Sequence, residues 1–268
     1  MPDAQGRWDD LSLRVASGVA VLAVGLGAVW LGGPWFMALL MVVTGAIVWE
    51  MGGMLAPALS RTGHWQLVGI SVGALFVAIL LPVWLSLPVF GVAVLVATRT
   101  LGENKALYAA FNAFLLIAAF GLFLHHREFG LTWMLWLALV VIVTDVAGYF
   151  AGRAFGGPKF WPALSPKKTW SGTLAGWVAA AGVGIVFMLI TPAGPETVVY
   201  SVVLSFASQL GDLAESWAKR RTGVKDSGQL IPGHGGVWDR FDGMLGAALV
   251  LVIIEQLTWF PPSLPGPL

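Results

Sequence analysis

Apolar residues run along this chain in blocks of 15 to 25, broken by short polar stretches. The blocks cover 15–31, 34–58, 67–81, 83–98, 107–124, 131–152, 172–191, 196–217 and 243–260. At about 1.5 Å of rise per residue, roughly 20 apolar residues cross the ~30 Å hydrocarbon core as a helix. A helix also satisfies its own backbone N–H and C=O groups, which lipid cannot do. The pattern therefore predicts an all-α, polytopic membrane bundle of nine helices. The shortest two, 67–81 and 83–98, are parted only by a turn at Pro82. Five spans fall in a first region, 1–130. The second region, 131–268, carries two polar loops, 153–171 and 218–242.

Charge placement tests the threading independently. With the N-terminus in the cytoplasm, alternating spans put Arg127 on the far side and the remaining 14 of the 15 Lys and Arg residues on the cytoplasmic side. That asymmetry is what the positive-inside rule expects, and it fixes N-in, C-out. Composition agrees: 57% hydrophobic, 11% charged, 14 Trp and 34 Gly, with a mean hydropathy of +0.82. A net charge of +1 says little by itself. Asp3, Asp9 and Asp10 spoil a basic signal-peptide start, so the first span is expected to be a retained anchor. The absence of cysteine excludes disulfides and thiolate chemistry. The Pro-rich tail after Phe260 is expected to be disordered.

Carboxylates inside apolar spans need a reason, since each costs on the order of 3 kcal/mol near mid-bilayer. Glu50, Asp145, Asp212, Glu215 and Glu255 are so placed. Glu50 and Glu255 admit a bland reading, a helix end reaching water or a structural partner. The eighth span is different. Ser201, Ser205, Ser208, Asp212, Glu215 and Lys219 follow at spacings of 4, 3, 4, 3 and 4, one face of one helix. Such a stripe must face other helices or a polar cavity. Asp145 stands beside a Gly148/Gly152 step suited to close helix packing, and it is expected to point into the bundle.

The loop GGPKFWPALSPKKTWSGTLAG begins a turn at Ser165-Pro166 and supplies adjacent cations, Lys167 and Lys168. Thr169 and Ser171 can cap the helix that follows, where free N–H groups suit an anionic phosphate. A pair of lysines at a membrane surface is, on its own, equally well explained by positive-inside charge. The stretch Ser216–Asp242 is denser, interleaving five bases, three acids and His234 with glycines. Glycines around His234 let backbone amides approach a ligand closely. Asp239 and Asp242, three apart, share a helix face and join Asp212 and Glu215 as candidate oxygen ligands for Mg²⁺. Lys219, Arg220, Lys225 and Arg240 would balance the charge of a polyphosphate. The chemistry points to a metal-dependent enzyme acting on a phosphorylated substrate at the membrane surface.

These residues resemble the sequence motif of the phosphatidate cytidylyltransferases (CDP-diacylglycerol synthases). The matching positions are Ser216, Lys219-Arg220, Lys225-Asp226, Gly228, Pro232, His234-Gly235-Gly236, Asp239-Arg240 and Asp242. SPKKTW from Ser165, and Asp145 with the Ala-Gly-Tyr that follows, are similar to the family as well. Ala218 and Ser171 depart from the usual residues. The resemblance implies condensation of CTP with phosphatidic acid to CDP-diacylglycerol and pyrophosphate, with Mg²⁺ and room for a second cation such as K⁺.

It implies catalytic roles for Asp212, Lys219, Arg220, Lys225, Asp226, His234, Asp239, Arg240 and Asp242. Metal ligands would be Asp212, Asp239 and Asp242, with Asp145 and Glu215 as further candidates. Ser165, Lys167, Lys168, Thr169, Ser205, Ser208, Gly235 and Gly236 would bind substrate, the serines lining the polar end of its cavity. Expected partners are CTP, phosphatidic acid and the lipid bilayer, with a homodimer left open and no nucleic acid. The expected location is a cell membrane, the bacterial inner membrane, with the site facing the cytoplasm. Three rivals remain: a CTP-dependent lipid kinase, a transporter, and a lipid-binding scaffold.

Overall fold

The computed structural model describes residues 4–102, 104–231 and 235–262, with side chains described from Ser17 onward. It is a helical protein. In chain order the helices are α1 (Ala4–Leu31), α2 (Gly33–Leu55), α3 (Arg61–Leu80), α4 (Ser86–Thr98), α5 (Lys105–Phe155), α6 (Trp170–Ile190), α7 (Glu196–Thr222) and α8 (Trp238–Leu257). Helix α5 is broken at Gly130, whose φ of 77° is open to glycine but strained for other residues. Its two limbs of about 25 residues fall over the expected blocks 107–124 and 131–152. Among the described residues five helices, α2, α3, α5, α6 and α7, are long and apolar enough to cross a membrane. The chain is thus a multi-pass membrane protein.

Local chemistry sets the helix ends. Pro34 opens α2, where a missing N–H costs nothing. The Ser60 side chain accepts from Gly63 N at 3.1 Å to cap α3. Helix α7 runs five residues beyond the expected 217, and its last turn carries Lys219, Arg220 and Arg221, cations that suit a helix C-terminus.

The chain divides into two compact units. The first comprises residues 1–116 and 222–240. Its core is built from Ile47, Val48, Met51, Leu67, Leu75 and Ala97. Ser71 Oγ donates to Asn112 Oδ1 at 3.1 Å inside it. The second comprises 117–221 and 241–268. Its core centres on Trp133, Trp136, Leu137, Val140 and Leu204. Helices in lipid gain little from hydrophobic burial, so close approach and hydrogen bonds hold them together. In the second unit a Cβ on Gly172 would lie 2.5 Å from Gly148 O, so α5 and α6 touch backbone to backbone. A Cβ on Gly246 would likewise lie 2.5 Å from Ala207 O, where α8 meets α7. Outward-facing Leu139, Ile142, Val178, Leu189 and Ile190 are exposed, as lipid contact requires.

One element lies outside the all-helical expectation. Residues Lys159–Trp161 (β1) and Ser165–Thr169 (β2) form a two-stranded antiparallel hairpin, pairing Lys159 with Thr169 and Trp161 with Ser165. Backbone groups of a loop still need partners, and these find them in each other. The Phe160 ring packs edge-on to Trp170 at 4.8 Å.

Candidate active site

The second unit gathers the acids of α7 with one from α8. Carboxylate oxygens of Asp212, Glu215 and Asp242 lie within 4.8 Å of one another. Asp212 and Glu215 share a face of α7, three residues apart, and Glu215 is 1% exposed. Helix α8 comes close enough to place Asp242 beside them because Gly211 leaves room for the Asp242 carbonyl. Lysines hold two of the acids: Lys168 Nζ is 2.5 Å from Asp212 Oδ2, and Lys219 Nζ is 3.0 Å from Glu215 Oε2. Ser216 Oγ donates to Asp212 Oδ1 at 3.2 Å, and Gly243 N donates to Asp242 Oδ1 at 2.7 Å. All three ligand-type groups are hard oxygen donors, with no His or Cys among them, which is the chemistry of a Mg²⁺-type site.

A cavity of about 550 Å³ opens beside the cluster, lined by residues including Asp145, Arg153, Lys167, Lys168, Gln209 and Asp212. Its wall depends on the hairpin. Strand β2 delivers Lys167 and Lys168, then passes into α6 at Thr169, whose hydroxyl accepts from Gly172 N at 3.3 Å. Ser171 Oγ donates to Gly156 O at 2.5 Å rather than capping α6. The result is a pocket with three cations, Arg153, Lys167 and Lys168, and two carboxylates, Asp145 and Asp212, on its wall.

The serine stripe divides by depth. Trp136 Nε1 donates to Ser201 Oγ at 2.9 Å, and Thr144 Oγ1 donates to Ser205 Oγ at 2.7 Å. These bonds fasten α7 to α5. The stretch of α7 that lines the cavity is Gln209 and Asp212, whereas Ser205 and Ser208 are not among its lining residues. Gln209 is absent from the residues expected from sequence, although it stands four residues after Ser205 and three before Asp212. Its Oε1 accepts from Trp177 Nε1 at 3.1 Å, and its Nε2 donates to the Thr173 carbonyl at 3.3 Å. Arg153 on the cavity wall was passed over too, having only positive-inside charge to mark it.

The first unit holds the other part of the motif. Lys225, Asp226 and Arg240 are exposed. His234 lies outside the described residues. Gly235 takes φ 85° and pairs its carbonyl with Ile231 N at 3.0 Å. Gly236 is buried. Asp239 Oδ2 accepts from Ser227 N at 3.0 Å, Ser227 Oγ at 2.9 Å and Gly236 N at 2.8 Å. Glu50, from α2, meets the same loop: its carboxylate accepts from Val237 N and Trp238 N, both at 2.9 Å. Ser227 Oγ stands 3.2 Å from Glu50 Oε2. Among the remaining expected residues, Ser165 sits in β2 away from the cavity wall, and Arg220 is exposed on α7. Glu255 has a structural partner, His125 Nδ1 at 2.5 Å.

Fold and site together define a class: a multi-pass helical membrane protein with an acid–lysine cluster beside a cavity walled by charged side chains. Residues 12–258 match the Cytidylyltransferase family, and the chain belongs to that family. A Brucella suis protein named phosphatidate cytidylyltransferase is 36% identical over 271 residues, spanning 96% of this chain and 97% of its own. A Brucella abortus protein of the same name is 37% identical over 262 residues, 92% of this chain and 94% of its own. One from Haemophilus influenzae is 42% identical over 130 residues, 46% of this chain and 45% of its own.

Proposed function

We propose that this protein condenses CTP with phosphatidic acid, forming CDP-diacylglycerol and pyrophosphate at the cytoplasmic face of a bacterial inner membrane. The observation that carries the reading is the three-carboxylate cluster opening onto a cavity walled by Lys167, Lys168 and Arg153. Family membership and the names of the relatives support the same reaction.

In that reaction a phosphate oxygen of phosphatidic acid attacks the α-phosphorus of CTP, and the bond from that phosphorus to the oxygen bridging the β-phosphate breaks. The electron pair leaves with pyrophosphate. A phosphate anion is already a nucleophile, so the protein needs no strong general base, and its work is positioning and charge neutralisation. Asp212 and Asp242, with Glu215 beside them, would hold Mg²⁺, which when bound neutralises charge on the triphosphate. Asp239 Oδ2 already has three donors, so the proposal gives that residue to the loop rather than to the metal. Asp145 faces the same cavity as a further candidate ligand, and a second cation such as K⁺ has no separate residue assigned. Lys167, Lys168 and Arg153 would bind phosphate groups in the cavity. Lys219 keeps Glu215 in place from one turn further on. Arg220, Lys225, Asp226, His234 and Arg240 keep the phosphate-handling roles that the motif implies.

Nine spans, N-in and C-out, belong to the same proposal. They place the loops 153–171 and 218–242 on the side where CTP is made available. The test uses detergent-purified protein, phosphatidic acid, Mg²⁺ and CTP labelled in the cytosine ring. Cytidine label is expected in the organic phase, matched by pyrophosphate release and abolished by EDTA. Label transferred only from the γ-position of CTP, into a lipid alcohol, would instead make the protein a lipid kinase.

A further inference from the structure

Glu50 sits 3% exposed in α2, and the reaction just described gives it nothing to do. A buried carboxylate in a membrane helix persists only when donors surround it. Here they do, and all come from one distant loop. The first amides of a helix have no acceptor within it, and Val237 and Trp238 lie at the start of α8. Glu50 supplies both acceptors: Oε1 takes Val237 N and Oε2 takes Trp238 N, each at 2.9 Å. A negative charge also suits the positive end of a helix dipole.

The loop is shaped around this carboxylate. A Cβ on Gly228 would lie 2.5 Å from Glu50 Oε1. On Gly236 it would lie 2.8 Å from both Glu50 oxygens and closer still to Ser227 Oγ. Ser227, 5% exposed, stands between two acids, 3.2 Å from Glu50 Oε2 and 2.9 Å from Asp239 Oδ2. Asp239 in turn receives the amides of Ser227 and Gly236. Asp239 therefore ties Ser227 to Gly236, and Glu50 fastens Val237 and Trp238 to α2.

We infer that Glu50 is a positioning residue, anchoring the motif loop where it enters α8 through the Val237 and Trp238 amides, with the Ser227 hydroxyl shared between Glu50 and Asp239. The loop so held is flanked by Lys225 and Arg240, the cations proposed to meet phosphate. That last point rests on the proposed cytidylyl transfer; the anchoring itself does not.

Glu50→Gln separates the two. It keeps the side chain's volume, but the two amides address different oxygens, so in the same pose one of them would face the NH₂ group, which cannot accept. The full-length protein in nanodiscs is compared as wild type, Glu50→Gln, Glu50→Ala and Ser227→Ala. Amide hydrogen exchange across 227–240 is expected to speed up at least about 10-fold in both Glu50 variants, with α3 and α6 unchanged. Thermal unfolding of Glu50→Gln should stay near wild type, while KM for CTP rises about 10-fold and kcat falls. Ser227→Ala should show a smaller change of the same sign. Unaltered exchange in 227–240 for Glu50→Gln would overturn the inference. So would lost activity with KM unchanged and a lowered unfolding temperature, the pattern of a residue that only stabilises. Should Glu50→Ala fail to fold, Glu50→Gln and Ser227→Ala decide the matter. If wild type transfers no cytidylyl group, the proposed reaction fails and the exchange comparison alone judges the anchor.

Discussion

Each acid of the cluster owes its state to a specific neighbour, and substitutions should report those neighbours separately. Asp212→Asn or Asp242→Asn removes a hard oxygen charge with almost no change in volume. Losing a supporting partner of a metal typically costs 10- to 100-fold, and a direct ligand should exceed that. Cytidylyl transfer is therefore expected to fall by more than about 100-fold in either variant, with the thermal unfolding profile retained. Near-normal turnover in both would remove the metal assignment. Lys168→Ala takes away the ammonium beside Asp212 and a cation from the cavity wall. Its expected effect is a KM for CTP or phosphatidic acid raised about 10-fold, measured by varying each substrate in turn. Asp212 and Glu215 were legible in the sequence because helical spacing set them on one face. Gln209 was equally legible on that arithmetic, but an uncharged amide drew no notice. Glu50 was visible as an oddity and no more, since its partner Ser227 lies 177 positions away.

Among the elements, α5 and α6 meet backbone to backbone at glycines. A Cβ at Gly172 would meet Gly148 O at 2.5 Å and the Gly148 carbonyl carbon at 3.4 Å. Gly172→Ala must push the helices apart, at a cost of roughly 1–3 kcal/mol typical of overpacking. The expected outcome is a lowered unfolding temperature together with reduced activity, because Thr169 and the β2 lysines lie at that junction. Gly182→Ala, in the same helix with open space around it, should leave both unchanged. Sequence spacing revealed the Gly148/Gly152 step and its packing role. It did not reveal the hairpin of β1 and β2, because two strands of three and five residues are too short to show a period of two.

For the molecule as a whole, apolar block length located the helices well and their ends less well. Helix α8 begins at Trp238 rather than 243, since a polar first turn has no hydropathy signal and is set by an acceptor from elsewhere. Orientation rests on charge asymmetry, and reporter fusions at residues 128 and 196 test it. Both should report the non-cytoplasmic side, and a cytoplasmic signal from either would break the nine-span threading. The Glu50 anchor also bears on how the protein is made. A chain synthesised from its N-terminus inserts α2 long before residues 227–238 exist. Until they emerge, Glu50 has none of those donors. Chains that have not yet reached residue 238 therefore carry an internal mark of incompleteness, and a membrane protease that recognises unsettled helices would find it there.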